Sequence, residues 1–200
     1  MAKLGMVIDL KRCVGCYGCV TSCKAENGTP PRVFWSRVLE REEGKYPSAR
    51  RLFVPVLCNH CAEPACETAC PTHATYRTED GIVRIDENKC IGCRACMAAC
   101  PYGARFYLKE ARQYYTQEAT PFEKLLYKKH QIGTVQKCEF CYERTQKGLE
   151  PACVLTCITR ARTFGDLDDP DSEVSRLLKQ RYAFKLRPEM GTEPKVIDLS

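Results

Sequence analysis

Sixteen cysteines in a chain of 200 residues constrain this sequence more than any other feature. They fall into four sets of four, with none left over. The first is Cys13, Cys16, Cys19 and Cys23; the second is Cys58, Cys61, Cys66 and Cys70. The third is Cys90, Cys93, Cys96 and Cys100; the fourth is Cys138, Cys141, Cys153 and Cys157. A structural zinc site uses two close pairs and has no need of three thiolates within seven residues followed by a fourth. A disulfide framework cannot close Cys-x2-Cys neighbours without strain, and secreted disulfide proteins ordinarily carry a leader. Iron–sulfur ligation by thiolates is the reading that the spacing supports.

The first and third sets both run C-x2-C-x2-C-x3-C, the bacterial ferredoxin spacing, and the second and third end in Cys70-Pro71 and Cys100-Pro101. In that run three thiolates hold one cubane and the fourth reaches across to the other member of a pair. Applied here, the rule predicts four [4Fe–4S] clusters. The second and third sets exchange their last cysteines, giving Cys58, Cys61, Cys66 with Cys100, and Cys90, Cys93, Cys96 with Cys70. The first and fourth sets do the same, giving Cys13, Cys16, Cys19 with Cys157, and Cys138, Cys141, Cys153 with Cys23. Gly15, Gly18, Gly92 and Ala95 let the backbone turn around each cube and present N–H groups to its sulfurs.

The expected fold is α+β, with two interleaved ferredoxin-like halves built from short helices, β-hairpins and long loops. Residues 1–50 with 137–170 form an outer half, and 51–104 form a middle half. An insertion spans 105–136, and a C-terminal helix and tail span 171–200. Strand character begins at Met6–Asp9. Val33–Arg41 and Arg51–Leu57 around a Gly/Pro turn read as one hairpin, and Thr75–Thr78 with Ile82–Asp86 as a second. Thr120-Pro121-Phe122-Glu123 has a cap, a proline at the first helical position and a glutamate at the third, and opens a helix running to His130. Asp169-Pro170 opens another, with Val174, Leu177 and Leu178 on one face. The helices carrying the last cysteine of each set should be one to two turns long. The tyrosines of the insertion, Tyr107, Tyr114, Tyr115 and Tyr127, read as packing residues ahead of a docking surface.

Charge excludes some functions. The formal net charge of +6 counts cysteines as neutral. Four oxidised clusters at about −2 each bring the holoprotein to about −2, so the basic excess offsets cluster charge and nucleic-acid binding is not required. The sequence holds no phosphate loop, nucleophile–base pair or paired-carboxylate site, so no catalytic centre is expected. His60, between Cys58 and Cys61, reads either as a hydrogen-bond partner of sulfur or as a solvated residue. The longest apolar run, Leu52–Leu57, is far short of the roughly 18 residues of a membrane span. The first residues leave no room for a leader, so membrane attachment or export is expected to come through a partner.

These motifs, taken together, resemble the four-cluster ferredoxin-type subunits of the molybdopterin oxidoreductases of dimethyl sulfoxide reductase type. The resemblance covers nearly the whole chain. It rests on Met6-Val7-Ile8-Asp9 followed by Cys13-Val14-Gly15-Cys16, on Cys58-Asn59-His60-Cys61, on Cys70-Pro71-Thr72, Cys100-Pro101-Tyr102 and Lys137-Cys138. The tail from Gly165 to Pro170 and Arg187-Pro188-Glu189 with Gly191-Thr192 resembles the small subunits of polysulfide, thiosulfate and respiratory arsenate reductases. It implies an electron-transfer subunit next to a catalytic subunit that holds molybdenum or tungsten on pterin. It also implies an integral membrane subunit that interacts with quinone, and a periplasmic location peripheral to the membrane, a cytoplasmic one being the alternative. By the same analogy the first and fourth sets face the catalytic subunit. Some relatives have Trp at the position of Cys93 and hold a three-iron cluster; Cys93 implies four irons. A soluble polyferredoxin with transient partners is the competing reading. Cys157-Ile158 departs from the family's Cys-Pro and puts the local helix geometry in question, as does Cys23-Lys24.

Overall fold

β1 (Leu4–Asp9) is buried over almost its whole length because both of its faces are covered. In the computed structural model, which describes residues 2–115 and 118–200, it forms a central strand of a four-stranded sheet. β8 (Arg162–Asp166) lies antiparallel on one side of it. On the other side β10 (Val196–Leu199) runs parallel, followed by β9 (Ala183–Phe184) at the edge. Alternation along β1 divides its side chains. Met6 and Ile8 enter the main core with Cys19, Cys138 and Cys153. Val7 packs with Val174 and Leu199 under a helix.

That helix is α7 (Glu173–Gln180). Val174, Leu177 and Leu178 do share its buried face, but its cap is Ser172, whose hydroxyl accepts from the Ser175 N–H. Asp169 instead opens a turn ahead of the helix, its carboxylate accepting from the Asp171 N–H and its carbonyl from the Ser172 N–H. The sequence signals no strand after residue 170. Val196–Leu199 becomes one because its partner, β1, comes from the opposite end of the chain.

Both expected hairpins are present. β2 (Arg37–Glu43) pairs with β3 (Arg50–Val56), and β4 (Thr75–Arg77) with β5 (Val83–Ile85). In the insertion, of which residues 116 and 117 lie outside the described residues, α4 (Pro121–Leu126) starts with the expected capping box. The Thr120 hydroxyl accepts from the Glu123 N–H while the Glu123 carboxylate accepts from the Thr120 N–H. The helix tightens to a 3₁₀ turn at Tyr127–Lys129, and His130 leaves in extended conformation. The His130 ring bonds the Asn27 carbonyl oxygen and Gln136, tying the insertion to an earlier helix. A short pair, β6 (Phe106–Tyr107) with β7 (Val135–Gln136), closes the insertion at its base.

The helices that bear cysteines are short, apart from one. α2 (Ala65–Thr68), α3 (Ala95–Ala98) and α6 (Ala152–Leu155) are single turns, as is the cysteine-free α5 (Tyr142–Thr145). Contrary to expectation, α2, α3 and α6 carry the third cysteine of their sets, and the last one follows the helix end. α1 (Gly18–Asn27) runs ten residues, longer than the expected one to two turns. Lys24 follows Cys23 where the second and third sets have proline, so the helix continues until Gly28 caps it in left-handed conformation. α1 packs on α6, and α2 on α3. Short strands and single-turn helices joined by loops make this an α+β fold.

Candidate metal centres

One backbone turn is used four times. In the first Cys-x2-Cys stretch of each set the residue before the second cysteine has positive φ: Gly15 at 67°, His60 at 42°, Gly92 at 66° and Phe140 at 52°. Glycine occupies that region freely, whereas a side chain there is strained and persists only where the surroundings hold it. His60 and Phe140 hold each other. Their rings stack with centroids 3.8 Å apart, and both are fully buried. The Nδ1 atom of His60 accepts the Val83 N–H at 3.1 Å, so His60 is neither solvated nor bonded to a thiol. Burial, with Lys137, Lys195 and Arg105 nearby, drives its pKa well below the ordinary histidine value, so the ring stays neutral.

A second turn recurs after the last cysteine of three sets. His73, Gly103 and Arg160 donate their N–H groups to the carbonyls of Cys70, Cys100 and Cys157, and all three have positive φ. The turn after Cys157 is the same as the two that contain proline. Ile158, the departure from the family pattern, is 76% exposed and disturbs nothing.

These turns bring cysteines of different sets together. Cys58, Cys61, Cys66 and Cys100 line one cavity. Cys70, Cys90, Cys93 and Cys96 line a second, and Cys13, Cys16, Cys19 and Cys157 a third. The three are alike in size, about 340, 310 and 340 Å³ in that order with the solvent at their mouths included. Cys23, Cys138, Cys141 and Cys153 form the remaining group: burial raises the Cys138 thiol well above its ordinary pKa, and Cys23, Cys153 and Cys141 add to the rise. Cys61 is likewise pushed up to about 12 by burial. Thiols so placed need a metal to share their charge before they can ionise.

Donors aimed at the sulfurs fit an anionic metal–sulfur group. Backbone N–H groups reach Cys70 from Thr75, Cys138 from Phe140 and Cys157 from Ala161, at 3.2–3.5 Å. Burial raises Cys70 and Cys157, yet the hydrogen bonds around them outweigh it and leave both thiols below their ordinary value. The same threonine position serves each, Thr72 and Thr159 lying 3.8 Å from sulfur. Two buried arginines complete the set. Arg105 donates to Cys66 at 2.9 Å and Arg162 to Cys19 at 3.4 Å. Among the described residues, no three His, Cys, Asp or Glu side chains converge at the spacing of one metal ion. A ring of thiols around a void suits a group of several metal atoms.

Comparison with known proteins agrees with that chemistry. The family model described as a 4Fe-4S dicluster domain matches twice, over residues 49–115 and 108–167. The chain belongs to the 4Fe-4S dicluster family. The first of the two dicluster matches takes in the second and third cysteine sets, and the other takes in the fourth. The relatives extend the likeness to nearly the whole chain. A selenate reductase subunit of Mesobacillus selenatarsenatis is 44% identical, over 98% of this chain and 71% of that protein. A tetrathionate reductase subunit of Salmonella typhimurium is 40% identical over 98% and 72%. The arsenate respiratory reductase iron-sulfur subunit of Shewanella sp. ANA-3 is 38% identical over 97% and 94%. Like other dicluster proteins this chain binds [4Fe–4S] clusters, and it is an electron carrier by chemistry.

Sequence reasoning passes over Arg105, Arg162, Thr72 and Thr159. The signal is present as a repeat: Arg105 stands five residues after Cys100, and Arg162 five after Cys157, each preceded by a buried alanine. The insertion's tyrosines divide. Tyr107 lies under the Arg94 guanidinium at 3.8 Å, and the Tyr114 and Tyr127 hydroxyls donate to the Thr29 and Arg112 carbonyls. Tyr115 is exposed.

Proposed function

We propose that this chain is a four-cluster electron relay, the iron–sulfur subunit of an anaerobic-respiratory reductase whose catalytic partner carries molybdopterin. When bound, such clusters accept and release single electrons over a wide span of potential. The chain's own work is to hold them, keep them dry and set their charge environment. The observation that carries the reading is the sharing of cavities by thiols from different sets. It supports ligation by Cys58, Cys61, Cys66, Cys100; by Cys70, Cys90, Cys93, Cys96; and by Cys13, Cys16, Cys19, Cys157. The closeness of Cys23 to Cys138, Cys141 and Cys153 supports the fourth quartet. The packing of α1 on α6 and of α2 on α3 supports the division into two interleaved halves, 1–50 with 137–170 and 51–104.

The quartets also fall in an order. Arg162 acts on both Cys19 and Cys153, which joins the Cys13 quartet to the Cys138 quartet. Cys58 is close enough to Cys138 to oppose the ionisation of that thiol. Arg105 acts on both Cys66 and Cys96. The two exposed thiols among the described residues, Cys16 and Cys93, belong to the first and last members of that row. A row whose most exposed thiols lie at its two ends suits a subunit that meets one redox partner at each end. The reductase kinship supports a molybdopterin partner at one of them, and a quinone-linked membrane subunit is the proposed partner at the other. Export with a signal-bearing partner belongs to the same proposal. No helix among the described residues is long and apolar enough to cross a membrane.

The test is anaerobic isolation with metal analysis: about 16 iron atoms per chain, and a co-purifying molybdopterin protein. Cys100→Ser then separates the ligation schemes. It should disturb the cluster held by Cys58, Cys61 and Cys66. Spectroscopic loss confined to the cluster of Cys90, Cys93 and Cys96 would refute cross-ligation.

A further inference from the structure

Two guanidinium groups are buried in the metal-binding core, each five residues after the last cysteine of its set. Arg105 is 4% exposed and Arg162 is 3% exposed. Among the described residues, neither forms an ion pair with a carboxylate. Each instead spends one N–H on a hydroxyl and another on a thiol. Arg105 donates to Thr75 Oγ1 at 3.0 Å and to Cys66 at 2.9 Å; Arg162 donates to Ser36 Oγ at 3.2 Å and to Cys19 at 3.4 Å. Arg105 lines the cavity of the Cys58 quartet, and Arg162 lines that of the Cys13 quartet. Each arginine also lies beside the neighbouring quartet. Thr75, which Arg105 bonds, lines the cavity of the Cys90 quartet and donates its N–H to Cys70; β8, which carries Arg162, packs on α6, which carries Cys153.

A buried cation without an anion in contact is costly, and Asp198, the carboxyl whose ionisation Arg162 favours, makes no bond to it. Both arginines are retained where two thiol quartets face each other, so the anionic groups in those quartets are their counter-charges. We propose that Arg105 and Arg162 are shared electrostatic bridges, each fixing the reduction potentials of the two clusters on either side of it. Reduction adds one negative charge to a cluster, and a fixed positive charge favours the reduced form. By superposition, one cation between two clusters raises both potentials together. It leaves their mutual repulsion unchanged and offsets it. The arginines are positioning residues, since they tune the groups and ligate nothing.

The inference rests on the four-quartet reading, and the experiment keeps the two apart. The complex is purified anaerobically and titrated potentiometrically, with electron paramagnetic resonance following each cluster. Wild-type protein that does not hold about 16 iron atoms per chain defeats the four-quartet reading, whatever the variants do. With that count met, Arg105→Gln should shift the reduction equilibria of two clusters by about tenfold each toward the oxidised form, about 59 mV for one electron. The other two should move less than about threefold. Arg162→Gln should shift the complementary two. Arg105→Lys and Arg162→Lys keep the charge and should stay within about threefold of wild type at every cluster. A shift confined to one cluster, a shift spread over all four, or Lys variants displaced as far as Gln variants would overturn the proposal. If a Gln variant assembles no clusters, the matching Lys variant decides. Full assembly with wild-type potentials supports a charge role, and failure of both overturns it.

Discussion

Asp198 is the residue whose burial is hardest to account for by packing alone. It is fully buried on the face of the sheet that carries Met6 and Ile8, and neither carboxylate oxygen has a hydrogen-bond partner among the described residues. In register it lies opposite Ile8, with Arg162 in the same row on the far side of β1 and Phe184 on the near side. Desolvation raises its pKa from 3.8 to about 7, only partly countered by Arg162. A carboxyl whose pKa is higher folded than unfolded binds more protons in the native state between those two values. Stability therefore falls as pH rises through that window and levels off above it. Asp198→Asn cannot ionise, so its advantage over wild type should widen by about 1 kcal/mol between about pH 6 and about pH 8. That is about 2–4 °C in the apparent thermal midpoint. An advantage that stays constant across that range would show that Asp198 does not titrate there. The two glycines of the repeated turn give a contrast of a different kind. A Cβ on Gly92 would stand 2.2 Å from the Gly133 carbonyl oxygen, which is backbone and has nowhere to go. On Gly15 it would meet the Phe53 ring, a side chain that can swing aside. Gly92→Ala should cost about a quarter of the bound iron, the share of one cluster in four, and Gly15→Ala should cost less. Equal losses would mean that the left-handed backbone alone decides both.

The elements show what a sequence discloses and what it withholds. The hairpins at β2–β3 and β4–β5 and the capping box of α4 were legible because each is set by residues a few positions apart. The four cysteine sets were legible for the same reason, their spacing being a local repeat. β10 was not, since Val196-Ile197-Asp198-Leu199 alternates too briefly to signal a strand and its partner lies at the other end of the chain. Nor was the start of α7, where Asp169-Pro170 imitates a cap that Ser172 supplies three residues later. The stack of His60 on Phe140 needed two turns from distant sets to be superposed in space, and neither ring alone carries that message. β10 earns its place through Leu199, fully buried against Val7 and Val174. Leu199→Ala should cost about 2–5 kcal/mol, the usual range for emptying such a site. A denaturant titration of the holoprotein that matches wild type would mean that the last strand does not hold the sheet.

Across the whole molecule, charge and burial act as one system. The polypeptide carries a formal +6, and part of that excess is placed inside. Arg105, Lys137, Arg162 and Lys195 are all buried, against Asp9, Glu123 and Asp198 of the acidic residues. Lys137 donates to the Val83 and Cys138 carbonyls, where the second-set and fourth-set thiols approach one another. A core with more cations than anions is unfavourable by itself, and it becomes balanced only when anionic groups fill the thiol quartets. Folding and metal loading are therefore coupled: the apoprotein should be expanded and basic, and the holoprotein compact and close to neutral. Four oxidised clusters at about −2 each would carry the total from +6 to about −2. Anaerobic isoelectric focusing reads this directly, the apoprotein banding at basic pH and the holoprotein on the acidic side of neutrality. The displacement should scale with bound iron as clusters are removed stepwise by a chelator. A holoprotein that focuses with the apoprotein would mean that the buried cations answer to something other than metal–sulfur anions.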